Sequence, residues 1–369
     1  VNLQSPLNSL GYGTVGLNVA LALEKRGDNS ALWPIGPVEV PEEHHAALHR
    51  LISNRGAFDH KAASLKIWHQ FDLAQHIGSG PRCAYPFFEL DRLKPVEKHH
   101  LASQDIIFCP SQWAADVIAH AIPHDCPKLA IARPGVDRKI FEETEKENHI
   151  GTTTFLCLGK FEVRKSHAEL IEAFSKAFGP NHDVKLVMNC HNPCFPTQEA
   201  CEKYNKEWSQ YCKDVLGNRV EVIEKRLSSQ KDVAKLIAHS DCVVLPSKAE
   251  GWNCEAVEAM SQGKQVILTN YSAHTEYATH ENSRLIEIDE VEPAHDGVWF
   301  RADDASWGDD AGCWAKWGQS QEDQLVEHLR AIHKEKQEGR LLRNEAGIAT
   351  AKHLTWDATL YAMEQAIGN

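Results

Sequence analysis

The sequence lacks any apolar run approaching the roughly 20 residues that a helix needs to cross a bilayer. Its first residues also lack a charged segment followed by an apolar signal core. Both absences weigh against membrane-spanning and exported classes, and the expectation is an intracellular, cytoplasmic protein. Basic charge is in short supply as well: 39 Lys and Arg stand against 52 Asp and Glu, for a net charge of −13. Broad non-specific binding to nucleic acid or anionic membrane is thereby disfavoured, although a local basic groove is not. Close cysteine pairs are missing too. The 11 cysteines are scattered, several inside apolar runs (Cys109, Cys157, Cys242), and read as reduced, buried thiols. Cys190, Cys194, Cys201 and Cys212 form one cluster with His191, where a zinc ion is conceivable. Its spacing departs from that of structural zinc sites, so no metal is expected.

What is present is length and alternation. With 369 residues the chain has room for two domains, each with its own core. In the first, strands are expected at Ser30 to Trp33, Leu65 to Trp68, Cys83 to Phe87, Ile106 to Cys109 and Leu129 to Ala132, with helical stretches between them such as Gln112 to Ala121. That alternation indicates a parallel sheet covered by helices. Near the N-terminus, Gly11, Gly13 and Gly16 in GYGTVG match the dinucleotide fingerprint letter by letter. The turn-rich SPLNSL before them and Pro34-Ile35-Gly36 after the second strand do not fit it, so a glycine loop that lets backbone approach a ligand is preferred to NAD or FAD binding. Polar groups just past strand ends are His69 in KIWHQFD and Glu89 with Asp91 in PFFELDR. Either they face a ligand, or Glu89 pairs with Arg92 and His69 is an ordinary loop histidine.

The charged segment 142–149 has no apolar periodicity and reads as a linker between a domain at 1–141 and one at 150–355. Strands then recur at Phe155 to Leu158, Val184 to Met188, Val220 to Ile223, Cys242 to Leu245, Val266 to Thr269 and Leu285 to Ile288. The informative stretch is SKAEGWNCEAVEAMSQG, Ser247 to Gly263, between two of these strands. Asn253 is a candidate N-cap, and a helix opening after a parallel strand points unpaired N–H groups at the crevice, which suits a phosphate. Glu250 and Glu258 frame that opening. Lys160, Arg164 and Lys165 crowd the loop after the domain's first strand, as a loop facing an anion would require. Residues 292–319 carry Trp299, Trp307, Trp314 and Trp317 among acids and glycines. Such indoles either stack on a sugar or base, or pack the loop onto its own domain. Trp356 to Ile367 forms a last amphipathic helix.

On these motifs the chain resembles the retaining glycosyltransferases of the GT-B fold, family-four type, the group that includes sucrose and mannosyl transferases. The resemblance rests on Glu250 and Glu258 within PSKAEGWNCEAVEAM, on CLGKFEVRK, on RPGVDRKIF from Arg133 to Phe141, and on FFELDRL and CPSQWAADVI. It implies two Rossmann-like doubly wound α/β domains facing across a cleft, with the final helix, 356–369, crossing back to the first. Lys160, Arg164 and Lys165 would meet the donor diphosphate, Gly251, Trp252, Asn253 and Cys254 would border it, and Gly11 and Gly13 would lie beside it. Glu258 would take the ribose hydroxyls, Glu250 the hydroxyls of the transferred sugar, Glu276 would stand near the donor, and His69, before His76, would be the first-domain histidine at the sugar. Three departures are visible: Asn253 and Ser166 stand where the family has glycine, and Asn189 to Pro193 replaces a glycine-rich stretch. Asn tolerates left-handed backbone, so Asn253 preserves the turn.

The function implied is transfer of a hexose from a nucleoside-diphosphate sugar, UDP preferred to GDP, without a metal and with no cofactor beyond the donor. The acceptor hydroxyl is open: a glycan, a metabolite, or a hydroxymethylated DNA base, the last disfavoured by the acidic charge. The alternatives are a catalytically silent nucleotide-sugar or carbohydrate-binding protein on the same fold, and an NAD-linked enzyme using GYGTVG.

Overall fold

The computed structural model describes residues 1–27, 29–145, 150–307 and 311–368. The first half runs β1 (Asn2–Leu7), α1 (Gly11–Arg26), β2 (Ala31–Val38), α2 (His45–Ser53), β3 (Ser64–Lys66), β4 (Arg82–Ala84), α3 (Pro95–Ala102), β5 (Ile106–Cys109), α4 (Gln112–Ala121) and β6 (Lys128–Ile131). Its six strands pair in parallel in the order β2-β1-β3-β4-β5-β6. The second half runs β7 (Thr153–Leu158), α5 (His167–Ala177), β8 (Val184–Asn189), α6 (Gln198–Leu216), β9 (Val220–Val222), α7 (Gln230–Ala238), β10 (Cys242–Leu245), α8 (Cys254–Ser261), β11 (Gln265–Thr269) and β12 (Arg284–Ile286). These strands form a second parallel sheet, β12-β11-β10-β7-β8-β9. A hairpin of β13 (Val291–Pro293) and β14 (Cys313–Ala315) follows, then α9 (Gln319–Gln337), α10 (Glu345–His353) and α11 (Trp356–Gly368). The fold is α/β, with two doubly wound domains. Residues 146–149 of the expected linker, 308–310 of the tryptophan-bearing stretch and Asn369 lie outside the described residues.

Apolar strands buried on both faces nucleate each half. In the second sheet, Cys242, Val243, Val244 and Leu245 of β10 are at most 2% exposed, as a central parallel strand covered by helices requires. The helices between strands are set by local chemistry. Ser111 Oγ accepts from Ala114 N–H at 3.1 Å to start α4, and Thr197 and Ser229 do the same for α6 and α7. Helix α11 lies on the first sheet, where Trp356, Leu360, Met363 and Ala366 join a core containing Leu3, Val19 and Phe108.

The N-terminal stretch differs from its sequence reading in a way that matters for the site. SPLNSL is not a separate turn, because β1 continues through Ser5, Pro6 and Leu7. Pro6 falls at the register irregularity between Ser5 and Leu7, where a missing N–H breaks no ladder bond. Strand β2 likewise continues through Pro34-Ile35-Gly36 to Val38, because it is an edge strand and tolerates proline there. GYGTVG is therefore not a loop but the first turns of α1, three residues after the strand. A Cβ on Gly13 would sit 2.2 Å from Asn8 Oδ1, and one on Gly16 would sit 1.9 Å from Ser5 Oγ. These two glycines let α1 pack onto β1.

Candidate active site

The C-terminal ends of both sheets open onto one cleft of about 420 Å³. From the first domain come Asn8, Gly11 and Tyr12 after β1, Glu39 after β2, His69 after β3 and Glu89 after β4; from the second come Lys160, Arg164 and Lys165 after β7, and Gly251 to Cys254 with Glu250 and Glu258 at α8. Loop residues past parallel strands are free of the sheet ladder, so their backbone and side chains are available to a ligand.

The floor of the cleft is an ion network. Lys165 Nζ lies 2.5 Å from one Glu250 oxygen and Arg164 Nη1 lies 3.0 Å from the other. Arg164 also reaches Glu162 at 3.0 Å, donates to the Ala249 carbonyl at 2.6 Å, and approaches Glu89 of the first domain at 3.8 Å. Lys160 pairs with Glu162 at 2.6 Å. Burial alone would neutralise these groups, but their neighbours prevail. Burial pushes the Glu250 carboxyl up, and Lys165 and Arg164 together pull it well below the carboxylate range. Burial likewise disfavours the Arg164 and Lys165 cations, yet Glu250 leads the contacts that keep both charged. Two acids behave otherwise: burial raises Glu89 even with Arg164 nearby, and burial with Glu255 raises Glu258 well above the ordinary range. Glu258 thus faces the cleft beside Gln230 with burial favouring its protonated form.

Backbone strain gathers at the same place. Ser166, Asn253 and Ser272 have φ of 53°, 80° and 52°, left-handed values unusual for residues other than glycine. Ser166 follows Lys165, Asn253 precedes α8, and Ser272 Oγ accepts from the Glu250 N–H at 2.8 Å. Asn253 occupies the N-cap position of α8, but its side chain makes no capping bond, contrary to the sequence reading. Gly251 serves close approach: a Cβ there would stand 3.1 Å from the Phe88 nitrogen of the first domain.

His69 sits against Tyr12, with ring centroids 4.6 Å apart, and stacks on Phe71 at 5.0 Å. Burial, then the Lys160 charge, brings its pKa down to about 4, so the ring is neutral. His76 is instead turned toward Ser64 Oγ at 3.3 Å, at the start of β3 and not in the cleft lining. Two other expected residues are also placed elsewhere. Gly13 is occupied by packing against Asn8 and does not line the cleft. Glu276 is not at the cleft but is a tie between domains: its carboxylate accepts from Arg133 Nε at 2.6 Å and from the N–H of Gln112, at the start of α4, at 2.6 Å. The expected cysteine cluster disperses. Cys212 lies against Met188 sulfur at 3.7 Å and Cys201 donates to the Pro193 carbonyl. Cys190 instead meets Cys157 and His167, their ligand atoms within 4.8 Å of one another, a set one ligand short of a closed tetrahedral site.

Sequence reasoning overlooked several lining groups. Tyr12 holds the Phe87 backbone at 2.8 Å through its hydroxyl and Glu39 follows the longer β2, while His274, behind the lining, reaches Asn253. A tyrosine inside the glycine motif was the one local hint; the others arrive by tertiary placement. The tryptophan-bearing hairpin crosses to the first domain: Lys94 pairs with Asp304 at 2.8 Å and lies 4.9 Å over the Trp307 ring, and Asp91 accepts from the Cys313 N–H at 2.7 Å.

Residues 139–298 match the family described as glycosyl transferases group 1. The uncharacterized glycosyltransferase YqgM of Bacillus subtilis is 25% identical over 129 residues, 35% of this chain and 33% of that protein, so the match spans about a third of the relative's length. Among solved structures, sucrose-phosphate synthase from Thermosynechococcus elongatus is similar with a TM-score of 0.67 and 15% identity, covering 99% of this chain and 97% of that one. HepE of Anabaena, solved in complex with UDP-glucose, has a TM-score of 0.64 and 16% identity, with 98% of each chain covered.

Proposed function

We propose, for a chain whose residues 139–298 match the glycosyl transferases group 1 and which has the GT-B fold over both domains, that it moves a hexose from a nucleoside-diphosphate sugar to an acceptor hydroxyl with retention of configuration. The observation that carries this reading is the buried convergence of Lys165 and Arg164 on Glu250 at the mouth of α8. Two cations held in place beside a helix N-terminus supply charge stabilisation for a departing diphosphate without reorganisation at the moment of reaction. That supply needs no metal. Glu250 would then yield one of its cations to the incoming phosphate and turn the freed oxygen to the sugar. Glu258 and Gln230, both lining the cleft, would offer a ribose diol a hydrogen-bond acceptor and a donor.

In this reading the acceptor oxygen bonds to the anomeric carbon on the face the diphosphate leaves, the carbon–phosphate oxygen bond breaks, and the acceptor proton passes to the leaving phosphate. No protein nucleophile is used. His69, neutral and next to Tyr12, positions the sugar from the first domain. UDP is favoured over GDP as the nucleotide, in keeping with the UDP-glucose complex of HepE.

The test is a panel of UDP- and GDP-sugars, with NAD alongside, read by thermal shift and by donor hydrolysis with and without a chelator, followed by an acceptor screen. Stabilisation and chelator-resistant hydrolysis of one nucleotide sugar are expected. Binding without any turnover would assign the silent-protein alternative, and a response to NAD alone would move the ligand to α1.

A further inference from the structure

We infer that Asn253 is a specificity-determining residue, whose side-chain Oδ1 accepts a hydrogen bond from one hydroxyl of the transferred sugar, with His274 as the positioning residue that fixes this orientation. The inference rests on the reading of the cleft as a donor-sugar site.

Its basis is a chain of hydrogen bonds that leaves a single arrangement of the amide. His274 is fully buried, and its Nδ1 lies 3.0 Å from the Thr269 carbonyl oxygen, which only accepts. The proton is therefore on Nδ1, and Nε2 presents a lone pair. Burial keeps this ring neutral, its pKa brought down to about 4. Nε2 lies 2.9 Å from the Asn253 amide, so the amide must turn its NH2 toward His274. Oδ1 is left on the opposite side. It is buried, Asn253 being 6% exposed, and it has no hydrogen-bond partner within the protein. A buried acceptor without a partner is costly, and native proteins rarely keep one without a use. Asn253 lines the cleft between Glu250 and the first turn of α8.

The backbone makes the same point from another side. At φ 80° glycine is the residue of least cost, and asparagine is a tolerated second. An asparagine that neither caps the helix nor relaxes the turn is accounted for by its amide. The ligand chemistry selected is a hydroxyl donor at one ring position; a sugar lacking that hydroxyl leaves Oδ1 unsatisfied.

The experiment takes the donor that the wild-type protein turns over best and each of its monodeoxy analogues, and compares wild type with Asn253→Gly. Glycine keeps the left-handed turn, and circular dichroism with Tm checks the fold. The wild type is expected to lose about tenfold or more in kcat/KM on one deoxy analogue, the size of a neutral hydrogen bond left unmade. Asn253→Gly is expected to treat that analogue and the parent alike. His274→Leu should lose the discrimination as well, and His274→Gln, whose carbonyl can hold the Asn253 NH2, should restore most of it. Equal discrimination by wild type and Asn253→Gly at every position overturns the inference while leaving the transferase reading standing. Absence of turnover with any nucleotide sugar overturns that reading and this one with it.

Discussion

Lys165 holds one oxygen of Glu250 at 2.5 Å and Arg164 holds the other at 3.0 Å, so the loss of either cation leaves a buried carboxylate half-paired. Lys165→Met should lower kcat/KM by about 10²- to 10³-fold, the range for losing one preorganised charge-stabilising group, and should also lower Tm. Adding Glu250→Gln removes the uncompensated charge and should restore Tm but not turnover. A double variant as unstable as the single one would mean that the ion pair is not what Lys165→Met disturbs. Glu258 presents the opposite case. Its carboxyl is raised by burial, so the unfolded chain ionises first as pH rises above the ordinary value of 4.5, and folded-state stability falls over that interval. Glu258→Gln has no proton to lose. Its Tm should match wild type near pH 4, exceed it increasingly toward pH 7, and be accompanied by weaker nucleotide binding, as thermal melts across pH and a nucleotide titration will show. Lys165, Glu250 and Glu258 were legible in the sequence because they sit at fixed offsets from strand ends and a helix start. Glu89 was also marked, just past a strand end, but not its approach to Arg164; His274 and Ser272 were not marked at all, since no local pattern marks a residue that meets its partners only after the sheets pack.

At the level of elements, alternation located nearly every strand, because a buried parallel strand is a short apolar run that sequence displays directly. Strands β5 and β10 coincide with their expected spans. In the two sheets β1 was not assigned and β2 was expected to end at Trp33, and both run through proline; the short β13 and β14 fell in a stretch that read as a loop. Whether proline ends a strand depends on which neighbour pairs with it, and edge position and register are properties of the sheet, not of the segment. The consequence reached the site, since extending β1 turned the glycine motif into a helix start. The loop from β7 into α5 carries a related, testable strain. Ser166 closes the turn after Lys165 at φ 53°, with its Oγ buried and unpartnered. Ser166→Gly should relieve this and stabilise the protein by about 1 kcal/mol, while Ser166→Val should destabilise by more. Urea melts of the three proteins check the order; equal midpoints would show that the turn stores no strain.

For the whole molecule, the geometry of the cleft depends on ties between domains that no single segment announces. Glu276 clamps Arg133 and the start of α4, and α11 lies on the first sheet. The hairpin around Trp307 and Trp314 adds a third tie on the far rim. Its aromatic side chains pack with Leu90 and Ala249 in a cluster shared by both domains, and Lys94 joins it through Asp304 and the Trp307 face. The sequence showed four indoles in a long acidic loop and offered two uses, stacking on a ligand or packing on its own domain. Trp317 packs on the core of its own domain and Trp299 meets Phe195 there, as one of these uses has it, whereas Trp307 and Trp314 bridge to the other domain, which needs the relative placement of the sheets to be known first. Because Arg164 of one domain stands 3.8 Å from Glu89 of the other, a small change in domain angle alters the surroundings of a cation proposed to meet the diphosphate. Lys94→Ala removes a partly exposed ion pair and a cation–π contact, and so should change Tm by little. It should nonetheless loosen the domains, increasing the radius of gyration in small-angle scattering without donor, and lower kcat/KM by about tenfold, most of it regained at saturating donor as binding energy closes the cleft. If scattering and kinetics both match wild type, the hairpin is packing alone and the domain angle is set by Glu276 and α11.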